Sequence, residues 1–177
     1  GVEHGPAPTA WVTAATAPDN TASRQGGIRL ATVVRGFDLD APARAPWLLL
    51  GAKTLSYAVN MAAIREAKRR GADDALFVST DGYVLEAPTA SIVFRFGDTF
   101  VTPEPSGGIL HGTTQLSVYE HLESLGFATS YAKIPVADLK TADAAWLLSS
   151  VRLAAPVVAI DGTVLPVDAD LTASVNQ

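Results

Sequence analysis

The chain contains no cysteine, which removes disulfides, thiolate metal sites and cysteine nucleophiles together. Its three histidines, His4, His111 and His121, are too scattered along the sequence to suggest a metal cluster. Charge is sparse: Asp, Glu, Lys and Arg make up 18% of residues, and the formal net charge is −5. With no Lys/Arg block, neither nucleic acid nor an anionic membrane is an expected partner. The one basic cluster, Lys68-Arg69-Arg70, sits where a helix should end and complements its dipole. No apolar run approaches the roughly eighteen residues of a membrane helix, and the N-terminus GVEHGPAPTA has neither the basic start nor the apolar core of a signal peptide. The chain therefore reads as soluble and cytoplasmic. What it has in quantity is apolar residues, 48% of 177, enough for one well-filled core and too little chain for two.

β-Branched and aromatic residues dominate 9–16 and 28–35, which read as an antiparallel pair of strands joined by the turn-rich APDNTASRQGG. The apolar WLLL at 47–50 reads as another strand, with Lys53 at its end. From Thr54 to Arg70 the residues Leu55, Val59, Ala62, Ala63 and Ala67 recur at helical spacing, and Gly71 stops the helix. Strands at 74–80 and 83–87 flank Asp81-Gly82, and strands at 90–96 and 99–102 flank Gly97-Asp98; both two-residue loops suit hairpins. A second helix runs from Thr114 to about Leu125, with Val118, Leu122 and Leu125 on one face and Gly126 beyond its end. A strand at 127–134, a short helical piece at 136–142 and strands at 144–150, 156–160 and 163–165 complete the chain. The expected fold is α+β: one domain over 1–177, with two main helices and a curled or pseudo-barrel, mostly antiparallel sheet.

Several residues stand out against this background. Lys53 follows an apolar run, and a lysine is almost never buried there unless something pairs with it or uses it, although a strand-end lysine can also reach water along its own stem. Glu86 follows Val84 and Leu85 and precedes Ala87 and Pro88, an apolar setting that raises a carboxyl pKa unless a cation or an N–H donor lies beside it. Gly112-Thr113-Thr114 opens the second helix, where free N–H groups and the positive dipole end suit an anion, or where Thr113 simply caps. Ser149 and Ser150 end an apolar strand and offer two further donors, or a solvated turn. Each feature alone is ordinary. Together they are the groups that pyridoxal phosphate requires: a lysine for the aldehyde, an acid for the ring nitrogen and donors for the phosphate.

In AKTLSYAVN, DGYVLEAPTASIVF, GILHGTTQ and SSVRLAAPVVAIDG, in this order and spacing, the chain resembles the fold-type IV pyridoxal-phosphate enzymes, the family of branched-chain and D-amino-acid aminotransferases and aminodeoxychorismate lyase. The resemblance covers most of residues 47–162. It implies that Lys53 is the catalytic lysine that binds the cofactor covalently and that Glu86 binds the pyridine nitrogen. It further implies that the Thr113 and Thr114 amides, the Thr114 hydroxyl and Ser150 hold the phosphate, and that Leu110 packs on the ring. Two positions depart from the family pattern. Ser91 stands where an asparagine is usual, five residues after the glutamate. Ala58 stands where the aminotransferases carry a tyrosine for the ring oxygen, with Tyr57 one position early and about 100° round a helix, open to a ring contact or a core role.

The resemblance also implies that 1–177 is the cofactor-binding large domain alone, without the family's small N-terminal domain, and that the protein is a homodimer acting on a small-molecule amino substrate. General likeness points first to an aminodeoxychorismate lyase, which converts 4-amino-4-deoxychorismate to p-aminobenzoate and pyruvate. An aminotransferase for D- or branched-chain amino acids comes second. A cofactor-free interaction module, with Lys53 and Glu86 as ordinary surface charges, is the reading from another class.

Overall fold

The computed structural model describes residues 9–177. Eight strands form one sheet: β1 (Ile28–Val34), β2 (Asp74–Val78), β3 (Ser91–Phe96), β4 (Thr99–Pro103), β5 (Ala128–Ala132), β6 (Ala144–Ser149), β7 (Leu153–Ile160) and β8 (Thr163–Val164). Five α-helices accompany it: α1 (Thr21–Gly26), α2 (Ala41–Arg44), α3 (Ala58–Arg69), α4 (Thr113–Ser124) and α5 (Ala169–Val175). The strand order is β2-β1-β7-β6-β3-β4-β5, with β8 pairing off the path on β7.

The α+β class and the two main helices agree with the sequence reading, whereas the sheet does not. β1 runs parallel to both β2 and β7, and β4 runs parallel to β5. Only the β3–β4, β3–β6, β6–β7 and β7–β8 pairs are antiparallel. The sheet is therefore mixed rather than mostly antiparallel, and its strands follow an open path with two ends rather than a curled pseudo-barrel. Hairpins are set by local turn chemistry and show in the sequence; parallel partners are joined through long crossovers that leave no local mark.

Two more expectations fail for related reasons. Residues 9–16 form no strand: Trp11 and Val12 are 78% and 95% exposed, so strand-forming residues without a partner stay irregular and solvated. The run 47–50 is also not a strand. Pro46–Leu48 form a single 3-10 turn and Leu49 turns left-handed at φ 52°, leaving Trp47, Leu48 and Leu49 exposed.

The side-chain period of two divides the core between the two faces of the sheet. Ile28 and Leu30 of β1, Leu76 of β2, Phe94 of β3, Leu147 of β6 and Val157 of β7 form one continuous cluster. Their sequence neighbours point the other way, beneath the helices. α3 lays Ala63 and Ala67 on Ala75 and Phe77, and its small residues allow the close approach. α4 and α5 place Tyr119, Leu122 and Leu171 against Phe100 and Trp146. Phe77, Phe94 and Leu147 are each at most 1% exposed, which is about 1.5–3 kcal/mol of burial apiece.

One buried ion pair helps to shape the functional end. Arg152 Nη1 donates to Asp74 Oδ2 at 3.0 Å, with Asp74 only 3% exposed. The Arg152 backbone N–H donates to Ser149 Oγ at 3.1 Å. The turn that carries Ser149 and Ser150 is thereby tied to the start of β2.

Candidate active site

A cleft of about 500 Å³ opens where β6 ends, β3 begins and α4 starts. Its walls include Lys53, Tyr57, Glu86, Leu110, Thr113, Thr114, Ser149 and Ser150. Every residue that the sequence singled out for chemistry thus faces one space, although the contributing segments span nearly a hundred positions.

Glu86 lies on a segment that folds back along β2: Phe77 N–H donates to the Glu86 carbonyl at 2.9 Å, and Leu85 N–H donates to the Phe77 carbonyl at 2.9 Å. Its carboxylate is held on both oxygens. Arg35 Nη1 donates to Oε1 at 2.9 Å and the Leu110 backbone N–H to Oε2 at 3.1 Å. Burial raises the Glu86 pKa above the usual carboxylate value, and the Arg35 and Leu110 donors pull against that rise. The apolar setting read from the sequence is therefore present, and so are the partners it demanded.

Lys53 is carried on the loop between the 3-10 turn and α3, not on a strand end, and it is exposed, with its ammonium 5.9 Å over the Tyr57 ring. This loop lies close against the segment leading into α4. A Cβ on Gly51 would stand 2.8 Å from the Ile109 carbonyl oxygen, and Gly51 has φ 82°, so only glycine serves there. Tyr57 precedes α3 as its N-cap residue and is half-buried on the cleft wall, which places it at the site rather than in the core.

α4 begins at Thr113 behind Gly112, and no side chain caps it. Thr113 and Thr114 line the cleft, so the first N–H groups of the helix and these two hydroxyls are available there as donors. A Cβ on Gly112 would meet Ser91 Oγ at 2.5 Å. Ser91, the departure noted in the sequence, thus packs directly beneath this helix start.

Sequence reasoning missed Arg35. The signal was available, since Arg35 ends a β-branched strand run just as Lys53 ends an apolar one, and Glu86 lacked a cation. It also passed over Asn60, on α3 one turn beyond Tyr57, whose Nδ2 donates to the Pro88 carbonyl at 2.5 Å and fastens α3 to the segment between Glu86 and Ser91.

A lysine, a held carboxylate and an uncapped helix start around one cleft are groups able to engage an aldehyde, a ring nitrogen and a phosphate. The sequence model of amino-transferase class IV matches residues 1–160, and the chain belongs to that family. It is 44% identical over 174 residues to a bifunctional aminodeoxychorismate lyase / D-amino acid transaminase of Mycobacterium tuberculosis, covering 94% of this chain and 60% of the relative. Among solved structures, a fold IV-transaminase from Curtobacterium pusillum superposes with a TM-score of 0.87 at 50% identity, over 90% of this chain and 53% of that one. A hypothetical aminotransferase from Mycobacterium tuberculosis in its PLP-bound form gives 0.84 at 43% identity, over 88% and 56%. The chain thus spans a little over half the length of these relatives.

Proposed function

We propose that this chain is the pyridoxal-phosphate-binding large domain of an aminodeoxychorismate lyase, which takes 4-amino-4-deoxychorismate to p-aminobenzoate and pyruvate. The observation that carries the proposal is the meeting of Lys53, Glu86 and the uncapped start of α4 in one cleft. The residues present fit the cofactor. Glu86 offers a carboxylate already oriented by two donors, and α4 starts without a side-chain cap, which leaves its first N–H groups for an anion.

When bound, pyridoxal phosphate supplies an electron sink for the carbon bearing the substrate amine. The chain's own residues supply the rest. Thr113, Thr114 and Ser150 bind the phosphate, Leu110 packs on the ring, and Tyr57 stands by the Lys53 ammonium. Glu86, kept anionic, holds a proton at the ring nitrogen. Lys53, with its amine free, takes the proton from the carbon next to the substrate nitrogen and determines where it is returned.

The aminotransferase reading is kept on a specific ground: the Mycobacterium tuberculosis relative is named for both activities. Assembly as a cytoplasmic homodimer is part of the same proposal. Its support is the apolar residues left exposed beside the cleft mouth, Leu48, Leu49, Leu55 and Val59.

The deciding experiment adds D-alanine or L-leucine to the full-length, cofactor-loaded protein without any keto acid and follows its absorbance. A lyase shifts little with either amino acid and releases p-aminobenzoate from 4-amino-4-deoxychorismate. Complete conversion to the amine form of the cofactor, with no p-aminobenzoate formed, exchanges the two readings. A protein that takes up no pyridoxal phosphate refutes both and leaves the interaction module.

A further inference from the structure

The cleft is unbalanced in charge. Glu86 is the only carboxylate among its described wall residues, set against Arg35 from the end of β1, Lys53 from the loop before α3 and His111 from the segment before α4. Only Arg35 bonds to Glu86 through its side chain. Arg35 is also the best fixed of the three. Its backbone N–H donates to the Val78 carbonyl at 2.9 Å, which extends the β1–β2 ladder by one residue. Its guanidinium carbon lies 4.8 Å from the centre of the Phe77 ring and 5.4 Å from that of Phe37, so it is packed by two aromatic rings. The Arg35 and Glu86 side chains are 15% and 14% exposed, and Arg35 has no other ion-pair partner among the described residues.

We infer that Arg35 is a positioning residue: its stacked guanidinium holds Glu86 ionised and turned toward the cleft, so that the carboxylate meets a protonated ring nitrogen as a ready anion. The inference rests on the cofactor reading for its purpose but not for its physics. A carboxylate 14% exposed favours its neutral form unless a cation or a donor offsets its burial. The Leu110 N–H stabilises the anion but carries no charge. Lys53 is exposed on a loop and His111 is exposed and bonded to Tyr131 through Nε2, so neither substitutes for a fixed cation at bonding distance. Arg35 does not touch the reacting atoms; it acts through Glu86. A neutral Glu86 would present an O–H or a bare carbonyl to the ring nitrogen and lose its preference for the protonated form.

The test has two arms, both on the full-length protein. In the first, without cofactor, the Glu86 side-chain carboxyl is followed by carbon NMR from pH 4 to 9, its resonance assigned by its loss in Glu86→Gln. Arg35→Met is expected to move the titration midpoint upward, and Arg35→Lys to restore most of the original behaviour. In the second, affinity for pyridoxal phosphate is measured against pH. Arg35→Met is expected to weaken binding about tenfold or more at pH values where Glu86 has become neutral, and to approach the parent where it is ionised. A midpoint unmoved in Arg35→Met overturns the inference, as does an equal shift in Arg35→Lys, which would mark a packing role alone. Should Arg35→Met fail to fold, Arg35→Gln against Arg35→Lys decides by the same criterion, since both keep a donor and only one keeps the charge. A shifted midpoint in a protein that binds no pyridoxal phosphate upholds the coupling and refutes the proposed function, so the two failures are distinguishable.

Discussion

Replacing Thr114 by valine tests the phosphate site with little disturbance, because the two side chains have nearly the same shape and only the hydroxyl is lost. Thr114 lies in the first turn of a helix with no side-chain cap, and its hydroxyl makes no hydrogen bond within the described protein. Folding stability should therefore change little. Against a phosphate dianion the hydroxyl makes a charge-assisted bond, about 1.5–3 kcal/mol. At about 1.4 kcal/mol per decade, pyridoxal phosphate should bind roughly 10- to 150-fold more weakly. Binding should not vanish, since the Thr113 and Thr114 N–H groups and the helix dipole remain. The assay is tryptophan fluorescence titration of the full-length apoprotein with pyridoxal phosphate and, in parallel, with pyridoxal, which lacks the phosphate. Only the phosphorylated ligand should lose affinity. An equal loss for both ligands, or none for either, refutes the assignment of the α4 start as the phosphate site.

Lys53→Ala should abolish covalent attachment of the cofactor while leaving the fold intact, checked by mass spectrometry after borohydride reduction; label retained in the variant would remove Lys53 from its role. Arg152→Met leaves the buried Asp74 carboxylate without its ion-pair partner and should cost about 3–5 kcal/mol in urea unfolding, whereas the pair Asp74→Leu with Arg152→Met should recover much of it. Burial, with Tyr131 adding to it, pushes the Tyr119 phenol well above its usual range. Its folded form thus keeps a proton that the unfolded chain releases above about pH 10, so this stabilisation is complete below that pH and is lost as pH rises beyond it. Tyr119→Phe, which removes the bonds to the Ser130 and Phe100 carbonyls, should cost about 0.5–1.5 kcal/mol at neutral pH and flatten the fall in melting temperature between pH 9 and 11.

The parts of this molecule that could be read from its sequence are those decided within a few residues. The β3–β4 hairpin is one, because Gly97-Asp98 fixes its turn and the alternation of Ile92, Val93 and Phe94 fixes its faces. The helices α3 and α4 are others, although α3 starts at Ala58 rather than Thr54 because Thr54 to Tyr57 belong to the loop that brings Lys53 to the cleft. The strand pair expected at the front failed because β1 has its partners at residues 74–78 and 153–160, not at 9–16. The candidate site was legible because its residues break local patterns: a charge after an apolar run, or donors at a helix start. Arg35 gave the weaker signal of a cation closing a strand run, and its partner was fixed only when the fold set it beside Glu86.

β1 lies between β2 and β7, and Ile28 pairs with Val157 across more than a hundred residues. During synthesis β1 emerges before β7 and can have only one neighbour until β7 has left the ribosome. Until then one edge of an apolar strand offers unpaired N–H and C=O groups to any chain nearby. Loop closure over such a separation is slow, and β7 must dock before Ser149 and Ser150 on one side and Arg35 on the other can face the same cleft. Completion of the cleft is thus a late event in the life of each nascent molecule, and one that a chaperone shielding the open edge of β1 would be placed to influence.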